Sequence, residues 1–179
     1  MVKKILIGVG VVIVLFLIVA SFQPDAYQVT RSTSIAASPA DVFAQVNDLH
    51  RMNEWSPWLK PDPQAQTSYE GAPAGEGAMF SWAGNSQVGE GRMTIVESRP
   101  NELVRIKLEC IKPFESTADT EFTFQPEGDQ TVVTWSMAGE NNFVSKMMCV
   151  FISMDSMIGE QFELGLATMK SRVEGPAAS

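Results

Sequence analysis

Leu103-Val104-Arg105-Ile106-Lys107-Leu108-Glu109-Cys110 is the stretch on which the fold turns. Apolar and charged side chains alternate along it. Val104, Ile106, Leu108 and Cys110 share one face, and Arg105, Lys107 and Glu109 share the other. That period of two belongs to a strand with one covered and one wet face. The pattern recurs downstream. Ala118, Thr120, Phe122 and Phe124 share a face within Ser116–Gln125, as do Val133, Trp135 and Met137 within Thr131–Ala138. The turn-forming Glu127-Gly128-Asp129 joins these two. A connection this short makes its strands antiparallel neighbours.

Working outward, strands are expected at Thr67–Glu70, Ala78–Ala83 and Gly89–Ser98, with the central one at Leu103–Lys112. Gly71-Ala72-Pro73, Gly84-Asn85 and Arg99-Pro100-Asn101 supply the turns. A further strand, Tyr27–Ala36, is rich in β-branched residues. Beyond the last strand, Ile158, Phe162, Gly165, Leu166, Met169 and Val173 recur at helical spacing over Asp155 to Val173. They form one apolar stripe, suited to cover the apolar side of the sheet. Gly165 inside that stripe implies either a close backbone approach or room for another molecule.

Ser38-Pro39-Ala40-Asp41 starts a short helix, with Ser38 as N-cap, Pro39 at the first helical position and Asp41 completing a capping-box-like pair. Val42, Phe43, Val46 and Leu49 follow at helical spacing. The helix gives way near Asn47 to Asn53, and Glu54-Trp55-Ser56-Pro57-Trp58 reads as a loop or single turn. Asn142 to Met154 is apolar and methionine-rich. It reads as a flexible connection, either an adaptable lid or an ordinary loop.

Ile5 to Pro24 is uncharged throughout and follows Lys3-Lys4. Its apolar part, Ile5 to Phe22, would reach about 27 Å as a helix, enough for the hydrocarbon core. A cleaved signal peptide is the competing reading, but its apolar region is normally shorter and ends in a better small-x-small site than Val19-Ala20-Ser21. The reading adopted is an uncleaved single-pass anchor in the cell (inner) membrane. Lys3 and Lys4 keep the N-terminus cytoplasmic, so the domain faces the periplasm or the outside. The chain divides into an anchor at 1–24, one domain at 25–175 and a tail at 176–179.

Net charge is −8, and residues 23–179 carry 11 basic and 21 acidic groups, or −10. A surface so acidic repels phosphate, which disfavours nucleic acid and a domain lying flat on anionic lipid. The two cysteines, Cys110 and Cys149, have no metal-ligand spacing. A bridge and two separate buried thiols both remain open. His50 is the only histidine, so histidine metal sites and Ser-His-Asp triads lack material. No metal, cofactor or catalytic residue is assigned.

The order of elements (strand, short helical region, six antiparallel strands, long C-terminal helix) is the helix-grip arrangement, an α+β fold of about seven strands curved around the last helix. Ser38-Pro39-Ala40-Asp41-Val42-Phe43, Asn53-Glu54-Trp55-Ser56-Pro57-Trp58 and Ile158-Gly159-Glu160-Gln161-Phe162-Glu163-Leu164-Gly165-Leu166-Ala167-Thr168-Met169-Lys170 sharpen it. They resemble the polyketide cyclase/dehydrase and lipid-transport proteins, relatives of the START and Bet v 1 domains. The resemblance covers about Tyr27 to Glu174. It implies an apolar cavity between sheet and helix that takes a lipid or other hydrophobic small molecule; a minority of such proteins are enzymes.

Phe80, Trp82, Met93, Ile106, Leu108, Phe122, Phe124, Trp135, Met137, Phe162, Leu166 and Met169 are the apolar side chains available to line such a cavity, around Gly165. The bland account is that they simply fill the core. Trp55 and Trp58 are candidates for the pocket mouth or the bilayer interface, or plug the gap between helix and sheet. Three functions follow. The first is a membrane-anchored binding protein for a hydrophobic small molecule or lipid. The second is a cyclase- or dehydratase-like enzyme using Arg92, Glu90 or an ordered water. The third is a filled-core module that docks a membrane partner through Trp55–Trp58 and Phe143–Met154, the protein partner being unknown.

Overall fold

The computed structural model describes residues 2–175, so the tail at 176–179 lies outside the described residues. Helix α1 spans Val2–Ser21 and strand β1 Ala26–Ile35. Helices α2 (Pro39–Asn47) and α3 (Leu49–Trp55) follow. Then come β2 (Gln66–Gly71), β3 (Ala78–Ala83), β4 (Glu90–Arg99), β5 (Leu103–Lys112), β6 (Ser116–Glu127) and β7 (Gln130–Glu140). Helices α4 (Phe143–Cys149) and α5 (Met154–Glu174) close the chain.

The seven strands form one antiparallel sheet in the order β1-β7-β6-β5-β4-β3-β2. Six consecutive strands make a meander, and β1 adds to its far edge beside β7. A β-bulge between Ile95 and Glu97 in β4 helps the sheet to curve. α5 lies across the concave face, chiefly on β1, and α2 packs on β5, β6 and β7. The fold is the α+β helix-grip.

Capping sets the short helices. The Ser38 hydroxyl accepts from the Asp41 backbone N–H at 3.3 Å. Asp48 accepts from His50 N–H at 2.9 Å and starts a second helix that carries Trp55. That stretch reads as a loop in the sequence, because seven residues show no full apolar period. Asn142 likewise accepts from Ser145 N–H at 2.8 Å, so the methionine-rich connection contains a helix rather than loop alone. Cys110 and Cys149 are both free thiols, each half-buried.

α1 is long and apolar enough to cross a membrane, and a signal sequence near an N-terminus has the same character. It emerges from the sheet end at which β1 starts and β7 stops, and its main neighbour is α4.

Candidate functional site: the concave face beneath the last helix

Strand register arranges the concave face in rows. Arg31, Trp135, Phe122 and Val104 form one row. Val29, Met137, Thr120, Ile106 and Ile95 form the next. Tyr27, Gly139, Ala118, Leu108, Met93 and Phe80 form the third.

The first two rows are densely filled. Trp135 stacks on Phe162 of α5 with centroids 3.8 Å apart and on Phe122 at 4.8 Å. Trp55 meets Trp135 edge-on at 5.6 Å, and its Nε1 donates to the Gln45 carbonyl at 2.9 Å. Gly165 sits against this cluster: a Cβ there would lie 3.0 Å from Trp135 Cζ3 and 3.3 Å from both Trp55 Cζ3 and Pro57 Cδ. Of the two readings of that glycine, the structure has the close backbone approach. Burying one such ring stabilises the fold by about 1.5–3 kcal/mol, so this contact ties α5 to the sheet.

The expected lining residues divide by burial. Trp55, Phe80, Ile106, Phe122, Phe124, Trp135, Met137, Phe162, Gly165, Leu166 and Met169 are buried. Trp82, Met93 and Leu108 are half-buried and pack against that core. Trp58 stands apart, 39% exposed. The half-buried three lie toward the sheet end from which α1 emerges, where the Tyr27 ring covers Gly139, its hydroxyl 2.8 Å from where a Cβ would stand. On the opposite, wet face of that corner, an open groove of about 410 Å³ is lined by Ser68, Ser81, Glu90, Arg92 and Ile111, among others, and does not belong to the concave face.

Two buried polar groups inside this apolar face have no protein partner: the Thr120 hydroxyl and the Trp135 indole N–H. Thr120 lies opposite Met137, and Trp135 is two residues from Met137 on the same face. A buried donor without a partner costs about 1–3 kcal/mol, so each calls for an oxygen from a water or a bound molecule. Thr120 is not among the lining residues expected from the sequence. It shares the apolar stripe of Ala118, Phe122 and Phe124, and a lone hydroxyl among such neighbours is the signal that marks it.

The ionisable groups of the enzyme reading lie outside this face. Arg92 Nε donates to Glu109 at 2.8 Å on the opposite, wet face, and Lys112 reaches Glu90 at 2.6 Å. The hydrogen bond and charge of Glu109 raise the Arg92 pKa, and Arg92 foremost holds Glu109 below the usual carboxylate range. Arg92 and Glu90 therefore do not supply the inward acid–base pair that the enzyme reading required. On the same wet face, Arg105 pairs with Glu97 and Glu121, both at 2.7 Å. Toward the interior stand Tyr27 and Cys110. Burial pushes the Tyr27 phenol up, with the Cys110 thiol adding to it. Burial also raises Cys110, opposed by a hydrogen bond with Ser116. Both groups are neutral at pH 7, which fits an apolar binding face. Among the described residues, no cluster of three or more His, Cys, Asp and Glu could hold a metal ion.

Solved structures share the architecture. The Aha1 dimer from Colwellia psychrerythraea is 13% identical at a TM-score of 0.60, over 85% of this chain and 99% of that one. TTHA0849 from Thermus thermophilus is 16% identical at 0.60, over 85% and 100%. CalU16 from Micromonospora echinospora is 15% identical at 0.54, over 85% and 78%. At these identities the likeness is one of fold. No protein with a curated description matches in sequence. The family described as "Polyketide cyclase / dehydrase and lipid transport" matches residues 26–174, the whole of the domain from the first residue of β1 to the last of α5, and the chain belongs to that family.

Proposed function

We propose that this protein binds a hydrophobic small molecule or lipid with one polar group, between the concave sheet and α5, while α1 holds it at a membrane. The observation that carries the reading is the pair of unpartnered polar groups, Thr120 Oγ1 and Trp135 Nε1, on an otherwise apolar face. The polar group of the ligand lies against this pair. Its apolar body extends over Leu108, Met93 and Trp82, where the packing is loosest. The family and its structural relatives fit a hydrophobic-ligand protein of the helix-grip kind.

The stacked cluster of Trp55, Phe122, Trp135 and Phe162 favours a second reading, a filled core that serves only as an interaction module. Native mass spectrometry of the full chain in detergent separates the two. The binding reading expects a discrete extra mass on the gently purified protein, lost after organic extraction and regained from a lipid mixture. A bare protein that gains no mass from that mixture would overturn it in favour of the filled core.

A further inference from the structure

We infer that the sheet end from which α1 emerges is a membrane-docking collar, so that the half-buried end of the binding face opens toward the bilayer. The inference rests on the reading of α1 as a membrane anchor.

Strand register places several separate segments at this one end. β1 begins where β7 ends, with Ala26 opposite Glu140. Cys110 lies opposite Ser116 and Glu90 opposite Lys112, so the β5–β6 loop lies there too. Exposed large apolar side chains collect on these segments: Phe22 after α1, Phe114 in the β5–β6 loop, and Phe143, Phe151 and Ile152 on and after α4. Phe151 is 77% exposed and Phe22 85%. Large exposed apolar groups collected at one end of a domain mark a binding surface.

The occupant follows from what the patch adjoins. Phe151 stacks on Phe16 of α1, with centroids 5.6 Å apart, and Ala20 is fully buried at the same junction. The apolar surface of α4 thus continues that of α1, and the lipid around one reaches the other. The joint is braced rather than loose. Asn141 donates its backbone N–H to the Asp25 carbonyl at 2.8 Å and its side-chain amide to the Pro24 carbonyl at 3.1 Å. Lys146 of α4 pairs with Asp25. With α1 in the bilayer, this bracing leaves α4 at the interface, where amphipathic segments bury one face among headgroups and acyl chains. Of the lysines at this end, Lys146 and Lys112 are paired with Asp25 and Glu90, and exposed Lys60 stands two residues from Asp62, so the attachment is chiefly apolar and zwitterionic lipid suffices. Trp82, Met93 and Leu108, the half-buried end of the binding face, lie at this same end of the sheet.

The test uses the full chain in phosphatidylcholine nanodiscs whose acyl chains are brominated near the headgroup. Single tryptophans are added as Phe143→Trp, Phe151→Trp, Leu15→Trp within α1, and Asp129→Trp in the β6–β7 turn at the opposite end. Emission is read against the unsubstituted chain. For side chains buried at the interface, the added emission at 143 and 151 falls by roughly half relative to unbrominated lipid, with none lost at 129. Quenching at 15 but not at 143 or 151 leaves the anchor standing and overturns the collar. Equal quenching at 129 and 151 also overturns it, because the domain then lies flat. An unquenched tryptophan at 15 removes the anchor reading and the collar with it.

Discussion

The Trp135 indole and the Phe162 ring lie face to face, centroids 3.8 Å apart and planes within 11° of parallel. This contact joins the central sheet to α5 and leaves Gly165, one turn along the helix, no space for a side chain. The ring cannot yield, because Phe122 and Trp55 hold its other sides.

Gly165→Ala tests that rigidity. Alanine gains about 1 kcal/mol of helix propensity over glycine. Overpacking a tight core costs typically 1–3 kcal/mol, and here that cost outweighs the gain. The variant loses about 1 kcal/mol in urea unfolding, with unchanged m. A more stable variant would show that α5 slides freely on the sheet. Gly165→Trp, which an open cavity would admit, disrupts packing instead of plugging a pocket.

Thr120→Val separates ligand from filler. Removing an unpaired buried hydroxyl relieves about 1–3 kcal/mol of desolvation, so the ligand-free variant is more stable than the parent. If the hydroxyl serves a ligand, the same variant takes up less of the extra mass by native mass spectrometry. Greater stability with unchanged uptake would place the ligand's polar group elsewhere.

Arg31 bridges β1 to α5, with Nη1 2.9 Å from Asp155 Oδ1 and Nε 2.7 Å from Glu163 Oε1. Gly159 makes room for it: a Cβ there would lie 2.1 Å from Arg31 Nη2. The hydrogen bond with Arg31 holds Asp155 below its ordinary value of 3.8. A depressed carboxylate binds fewer protons folded than unfolded, so its stabilisation is complete above 3.8 and is lost as pH falls through the lower folded value. Arg31→Gln therefore destabilises the protein at pH 7. The gap from the parent narrows only below about pH 4. A gap independent of pH down to full protonation would remove the role of the ion pair. The effect also shrinks in high salt, since all three groups border solvent.

Cys110 faces the loosely packed end and its thiol is raised by burial. Iodoacetamide should modify it more slowly than glutathione at pH 8, because the thiolate is the nucleophile. Bound ligand slows it further, if the ligand's body lies over Leu108 and its neighbours. Reaction at the glutathione rate, with or without cargo, would place Cys110 outside the covered face.

The strands were legible because alternation is a local property. Leu103–Lys112 and Ala78–Ala83 appear in the structure with the bounds their sequence implies, and the others agree within a few residues. The stripe from Ile158 to Met169 likewise marks the buried side of α5. Where side chains are missing, alternation has nothing to report. Gly89 precedes β4 and Gly91 interrupts it, so the facing of Arg92 came only from its pairing with Ser81 and Glu109. Short helices held by caps escaped for a related reason: α3 and α4, seven residues each, are too brief to display a period.

The sequence by itself determined where the strands and the longer helices lie, which face is apolar in the strands that alternate, and that an apolar helix precedes the domain. All of these depend on neighbours within a few positions. Tertiary structure alone decided that Trp135 and Phe162 stack, that Gly165 is a contact rather than a gap, and that Thr120 is left without a partner. Those outcomes depend on which rows of the sheet meet α5, and register and helix placement are set by packing between segments far apart in the chain.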